Sequence, residues 1–319
     1  MASKKIVIAF DMDQDHLEQI RGAYPTFDFT VQTEQDQISG ALVDAGAVIG
    51  WGRYDAATLA GAPELRWVHT FGAGVDTLLS PELIDSEIVV TNNSGVRGPN
   101  IAEHILAMML GFARGLPEIM RYQTRREWHD AERGVFELGG QTLGVVGLGD
   151  IGQALAWRAN ALGMKVIGVR RNQFDLPRGV EHVHPLDELH TFLGEADHVA
   201  ICLPLTPTTR KMFGAAEFAA MKPSAYIYNI GRGAIIDQDA LVTALQSKQI
   251  AGAGLDVTDP EPLPADSPLW DMTNVQITCH TSGATPYNWE RGMEILIDNL
   301  GRFDRGEPLR NVVDKDAGY

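Results

Sequence analysis

Three side chains in the second half of the chain, each just beyond an apolar run, have the types needed for acid–base chemistry on a carbonyl. Arg232 stands in Asn229-Ile-Gly-Arg232-Gly, Glu261 in Asp256-Val-Thr-Asp-Pro-Glu261-Pro-Leu, and His280 in Cys279-His280-Thr-Ser-Gly-Ala-Thr. A guanidinium fork holds a carboxylate through two parallel hydrogen bonds and polarises a neighbouring carbonyl. An imidazole beside that carbonyl donates a proton as hydride arrives, and removes it in the reverse direction. A carboxylate bonded to the imidazole favours its charged, proton-donating form. Each residue alone reads as an ordinary loop residue. Their common position behind a nucleotide motif gives the set its meaning.

That motif is Gln141-Thr-Leu-Gly-Val-Val-Gly147-Leu-Gly149-Asp150-Ile151-Gly152. An apolar strand runs into G-x-G-x-x-G and a helix follows, the fingerprint of dinucleotide binding in its proper context. Gly147 permits the tight turn, Gly149 lets the backbone approach a pyrophosphate, and Gly152 lets the helix pack on the strand. The helix N-terminus offers free N–H groups and partial positive charge to the phosphates. A second strand, Val166–Val169, ends at Arg170, Arg171 and Asn172, with no acid until Asp175. An acid there would accept hydrogen bonds from the adenosine ribose of NAD, whereas paired guanidinium groups match a 2′-phosphate. NADP(H) is therefore expected over NAD(H), which stays possible.

These residues need a scaffold. Short apolar runs alternate with helical segments throughout the 319 residues, which predicts α/β architecture with parallel sheets. The first set is 5–10, 27–31, 47–51, 67–70 and 88–91; the second is 143–147, 166–169, 198–203, 225–230, 253–257 and 275–279. A long amphipathic helix opens at Gly98-Pro99, and a closing helix spans about 287–305. The fingerprint begins in mid-chain, so a cofactor domain, 98–285, is expected inside a smaller domain made of 1–97 and 286–319. Arg121–Gly140 is polar, aromatic and Arg-rich, and suits either a subunit-contacting arm or a surface loop.

Composition narrows the classes. A formal charge of −16 argues against nucleic acid and anionic membrane as partners. No run approaches the roughly 18 apolar residues of a membrane helix, and no secretory signal pattern is read, so a cytoplasmic protein is expected. Cys202 and Cys279 lie in apolar runs and are expected as buried thiols. No metal-ligand cluster is read. The loop Phe71-Gly72-Ala73-Gly74-Val75-Asp76 presents a possible N–H nest for a carboxylate.

The chain resembles the D-isomer-specific 2-hydroxyacid dehydrogenase family, and within it most closely the NADPH-dependent glyoxylate/hydroxypyruvate reductases. The resemblance rests on Phe71–Asp76, Asn100-Ile-Ala-Glu103-His104, Gly147–Gly152, Cys202-Leu-Pro-Leu-Thr206-Pro-Thr-Thr-Arg210, Asn229–Gly233, Gly254-Leu-Asp256-Val through Glu261-Pro-Leu, and His280 to Ala284. It implies a Rossmann cofactor domain inserted in a flavodoxin-like substrate domain, a homodimer formed through the cofactor domain, and reduction of a small 2-oxo acid to the D-2-hydroxy acid. Arg232 would bind and polarise the substrate, His280 would exchange the proton, and Glu261 would orient it. Leu203, Pro204, Thr206, Ile230 and Gly231 would meet the dinucleotide, with Asp256 near the carboxamide. Ala73 and Gly74 would offer N–H groups to the substrate carboxylate. Trp51 and Val96 would line the pocket, and Arg53, Arg97 and Trp289 lie close by in the pattern. Cys279 departs from the family, which commonly has Pro before the catalytic His. An NAD-linked dehydrogenase working oxidatively, and a dinucleotide-sensing corepressor-like protein without turnover, are the alternatives.

Overall fold

The computed structural model describes residues 4–128, 134–171 and 176–319, and the chain divides into two compact units. The first comprises Met1–Val96 and Pro286–Tyr319. Its elements are β1 (Lys5–Ala9), α1 (Gln14–Ala23), β2 (Asp28–Val31), α2 (Gln35–Ala41), β3 (Ala47–Gly50), α3 (Ala56–Ala60), β4 (Trp67–His69), α4 (Pro81–Ile84) and β5 (Val89–Thr91). The strands pair in parallel in the order β2-β1-β3-β4-β5, the flavodoxin-like order. Ile6, Ile8, Ile49 and Trp67 face one side, against Leu17 and Ile20 of α1 and against Met293, Leu296 and Leu300 of the closing helix. Val7, Val48, Val68 and Val90 face the other, with Ile38, Leu42 and Leu83. Both sheet faces are covered, which is why these strands read as unbroken apolar runs rather than alternating ones.

The second unit is Arg97–Thr285. It contains α5 (Gly98–Ala113), α6 (Leu116–Arg125), β6 (Thr142–Val146), α7 (Asp150–Ala161), β7 (Lys165–Val169), β8 (His182–His184), α8 (Leu189–Glu195), β9 (His198–Ile201), α9 (Ala215–Ala220), β10 (Tyr226–Asn229), α10 (Gln238–Gln246), β11 (Gly252–Leu255) and β12 (Val275–Ile277); α11 (Asn288–Arg305) returns to the first unit. Its seven parallel strands run β12-β11-β10-β9-β6-β7-β8. The chain leaves β6 toward β7 and β8 and then crosses to β9 on the other side of β6. The carboxyl ends of β6 and β9 thus form the topological switch point, where open parallel sheets bind ligands. Ile101, Ile105 and Met109 of α5 pack with Leu155 and Ala159 of α7 over Leu143, Val145 and Tyr228 of the sheet.

Three features differ from expectation. β8, His-Val-His, was not anticipated: three residues with two imidazoles at a sheet edge carry no apolar signature. Part of the Arg121–Gly140 stretch is helical, because α6 extends to Arg125, where Arg126 ends it in the left-handed region at φ 61°. No residue of α6 is buried, and Leu116, Ile119 and Met120 are exposed. Cys279 is exposed rather than buried. Strand pairing stops at Ile277, and Cys279 turns out of the sheet at φ 51°, a backbone closed to Pro. Cys202 is half-buried, and burial of its thiol pushes the pKa up to about 12.

Candidate active site

In the second unit the polar residues gather beyond the carboxyl ends of the strands. His280 Nδ1 lies 2.9 Å from Glu261 Oε2, and Glu261 Oε1 accepts from the Thr258 N–H at 3.0 Å. The Glu carboxylate is thereby fixed on one side by the main chain and presents its other oxygen to the imidazole. With the Nδ1 proton directed at Glu261, Nε2 is the nitrogen left for exchange with a ligand. Both side chains are partly exposed.

Asp256 holds the His280 loop in shape. It is buried, and its carboxylate accepts from the Thr278 hydroxyl at 2.7 Å, from the Thr281 N–H at 2.9 Å, and from both the N–H and hydroxyl of Ser282. Its carbonyl accepts from the His280 N–H at 2.6 Å. Burial works against the charge of Asp256, yet the hydrogen bonds from Ser282, Thr278 and Thr281 hold its carboxyl below the usual range. These bonds keep Cys279 and His280 at φ 51° and 58°, a region costly for residues other than Gly.

Arg232 is half-buried and donates through Nη1 to its neighbour's carbonyl, Gly231 O, at 2.9 Å. The fully buried Asn229 braces this turn, donating to Arg232 O and accepting from the Gly231 N–H. A Cβ on Gly231 would stand 2.6 Å from Leu203 O, so the loops after β9 and β10 pack closely. Pro204 and Thr206 continue the first of these; Ile230 is buried at the base of the second.

At the switch point Gly147 has φ 93°, and a Cβ there would meet Cys202 O and Leu203 Cδ2, both at 2.9 Å. A Cβ on Gly152 would lie 2.1 Å from Gly147 O, whereas one on Gly149 would meet nothing within 4 Å. Ile151 packs against the α5–α7 core. Asp150, first residue of α7, turns its carboxylate to the Gly98 N–H at the start of α5; burial pushes its pKa up against that bond. Arg170 is half-buried just beyond β7 and Arg171 is exposed, while Asn172 lies outside the described residues.

In the first unit Ala73 and Gly74 lie beyond β4. Trp51, beyond β3, covers this loop: its Cη2 is 2.6 Å from where a Gly72 Cβ would be. Val96 is buried, with its carbonyl accepting from Arg291. Trp289 packs on Phe71 with ring centroids 5.0 Å apart, and on Phe10 and His16. Arg53 and Tyr54 border a separate cavity of about 540 Å³ with Gln35, Thr77 and Ser80.

The family model described as D-isomer-specific 2-hydroxyacid dehydrogenase, NAD-binding domain, matches residues 106–282. The chain belongs to that family. A glyoxylate reductase from Korarchaeum cryptofilum is 38% identical over 270 residues, covering 82% of this chain and 80% of the relative. A glyoxylate/hydroxypyruvate reductase B from Pectobacterium carotovorum is 37% identical over 279 residues, covering 86% and 87%. The structure of a D-isomer-specific 2-hydroxyacid dehydrogenase from Xanthobacter autotrophicus, in complex with NADPH and MES, superposes with a TM-score of 0.87 at 32% identity over all of both chains. This member of the dehydrogenase family is accordingly an NAD(P)-dependent oxidoreductase.

The residues at the switch point fit a dinucleotide. Gly149 caps α7 and faces open space, where a backbone approach to pyrophosphate meets no side chain. Gly149→Ala is expected to leave the melting temperature nearly unchanged while weakening the dinucleotide by about tenfold or more. Gly152→Ala should instead destabilise the fold, since its Cβ overlaps a carbonyl. Thermal melts with and without NADPH check both; unchanged affinity in Gly149→Ala would remove the glycine from the binding surface.

Sequence reasoning assigned no role to Asn229, Thr278, Ser282 or His104. His104 Nε2 bonds the Thr278 hydroxyl at 2.9 Å, and that hydroxyl donates to Asp256 Oδ1. The family-like stretches Asn100–His104, Asn229–Gly233 and His280–Ala284 held a signal for His104, Asn229 and Ser282; nothing local marked Thr278.

Proposed function

We propose that this dehydrogenase reduces a small 2-oxo acid to the D-2-hydroxy acid with NADPH. The observation that carries the reading is the His280–Glu261 pair, held at 2.9 Å on the carboxyl side of a sheet whose switch point bears the dinucleotide fingerprint. A bound nicotinamide supplies hydride to the carbonyl carbon. His280 Nε2 donates a proton to the carbonyl oxygen, so hydride and proton together complete the alcohol. Glu261 holds the imidazole and offsets its charge. The Arg232 guanidinium binds the acid and draws electron density from the carbonyl. Ala73 and Gly74 offer their N–H groups to the carboxylate. The relatives named as glyoxylate and hydroxypyruvate reductases support a small acid as substrate.

NADPH is favoured by Arg170 and Arg171, which follow β7 where an NAD enzyme would place an acid. The structure from Xanthobacter autotrophicus, in complex with NADPH, supports the same choice. The test is the initial rate of NADPH and NADH oxidation with glyoxylate, hydroxypyruvate, pyruvate and phenylpyruvate. Turnover is expected with NADPH. Arg170→Asp should lower the NADPH-to-NADH ratio of kcat/KM by about tenfold or more, the scale of losing one charge-assisted contact. An unchanged ratio would take Arg170 out of cofactor selection, and saturable NADPH binding without turnover of any acid would defeat the reductase reading.

A further inference from the structure

We propose that Asn92, braced by Asn311, is the positioning residue that aims the Ala73 and Gly74 N–H groups for the substrate carboxylate. The inference rests on the reading that these two groups bind the acid. Asn92 Nδ2 donates to Ala73 O at 2.8 Å, and the Asn93 N–H donates to Gly72 O at 3.0 Å. A peptide unit is planar and trans, so its N–H points opposite to its carbonyl. The Gly72 carbonyl shares a plane with the Ala73 N–H, and the Ala73 carbonyl with the Gly74 N–H. Anchoring both carbonyls to the segment 92–93 therefore turns both N–H groups away from it. Among the described residues neither N–H donates a hydrogen bond. Two adjacent, parallel donors on a fixed loop match the two oxygens of a carboxylate.

The Asn92 amide can face only one way. Its Oδ1 accepts from the Ser94 N–H at 3.0 Å while Nδ2 gives to a carbonyl, and exchanging the two would oppose donor to donor and acceptor to acceptor. Asn92 is 6% exposed, so water replaces neither bond at low cost. Asn92 is in turn held from the far end of the chain. Its N–H donates to Asn311 O, its carbonyl accepts from Asn311 Nδ2 at 3.2 Å, and the same Nδ2 reaches Ser94 O at 2.8 Å. Asn311 takes φ 54°, which Asn tolerates better than most side chains, and Val312 and Val313 then bridge to the open edge of β5. The C-terminal segment is thus built into the geometry of the acid-binding loop.

Asn92→Leu removes the donor while keeping the branched heavy-atom shape, Asn92→Asp replaces it with a charge, and Asn311→Gly removes the brace while keeping its backbone conformation. The readouts are KM and kcat for the best 2-oxo acid, the inhibition constant of oxamate as an inert acid, and the Kd of NADPH. Both Asn92 variants are expected to raise KM and the oxamate constant about tenfold or more, with kcat and NADPH affinity within about threefold. Asn311→Gly should shift the same two constants by a smaller factor, and faster hydrogen exchange at Asn93, whose N–H donates to Gly72 O, should accompany each rise. Unchanged oxamate binding in Asn92→Leu, or a parallel loss of NADPH affinity, would overturn the clamp. A wild-type enzyme that neither reduces 2-oxo acids nor binds oxamate would overturn the underlying reading instead. Should Asn92→Leu fail to fold, Asn311→Gly decides.

Discussion

His280→Asn is expected to lower kcat/KM for the 2-oxo acid by about a thousandfold while NADPH binding persists, the middle of the usual range for loss of a general acid. Asn is the informative replacement because residue 280 sits at φ 58°, which Asn adopts more readily than Ala. The loop around it does not depend on the imidazole. Asp256 binds the backbone N–H groups of residues 280, 281 and 282 and the hydroxyls of Thr278 and Ser282. Glu261 keeps its bond from the Thr258 N–H. What disappears is the proton on Nε2 and the partner of Glu261 Oε2. Glu261→Gln should produce a smaller loss, since the amide oxygen can still accept from the ring, with its NH2 then opposed to the Thr258 N–H, but no longer offsets the positive charge. Steady-state rates with a fluorescence titration of NADPH decide the matter. Near-normal turnover in His280→Asn would take the proton transfer away from this residue.

Legibility in the sequence followed physical locality. The strands Lys5–Ala9, Ala47–Gly50 and Lys165–Val169 were readable because parallel strands buried on both faces are nearly continuous apolar runs. The expected runs overshot the observed strands at their carboxyl ends, at Trp51, Gly147, Cys202 and Cys279. Pairing stops there while apolar residues continue into the loops that carry the site. The three catalytic candidates could be placed because each follows a strand and their pattern resembles a known family. The supports around them were not legible. Asn229 is a buried polar residue inside a strand-like run, and its duty emerges only when the turn to Arg232 closes on it. Asn92 and Asn311 are 219 residues apart, and no local pattern announces that pairing. Trp289 read only as lying near the pocket in the pattern, and its spacing could not show that it packs on Phe10, Phe71 and His16.

Acidification from pH 7 to pH 5 should destabilise each unit by about 2 kcal/mol through one buried histidine apiece. His69 is inaccessible, and burial lowers its pKa to about 3 even though Asn93 pulls it upward. The Trp67 Nε1–H donates to Thr91 Oγ1, whose hydroxyl also faces His69 Nδ1 at 2.8 Å. His198 in the second unit is likewise buried, its pKa lowered to about 4 by burial against the pull of Asp197. Its ring lies between the Tyr228 hydroxyl and Gln141 Oε1, at 3.0 and 2.6 Å. Both folded pKa values lie below the unfolded one, so the unfolded chain binds the extra proton. The stabilisation is complete above about pH 6.5 and declines by about 1.4 kcal/mol per pH unit for each histidine as the pH falls below that value. For His198 the decline ends near pH 4, and for His69 near pH 3. Asp256 and Asp197, whose pKa values are lowered, lose their contributions only on further acidification, through their own folded values. Asp150, whose pKa burial raises, acts in the opposite sense as the pH falls, so the histidine contribution is the difference between parent and variants. Urea denaturation followed across that interval, with His69→Asn and His198→Gln alongside the parent, measures the effect. The variants should start less stable at pH 7 and show a shallower dependence on pH. A parent stability that stays flat down to pH 5, or variants that keep the full slope, would mean that other groups govern the acid response.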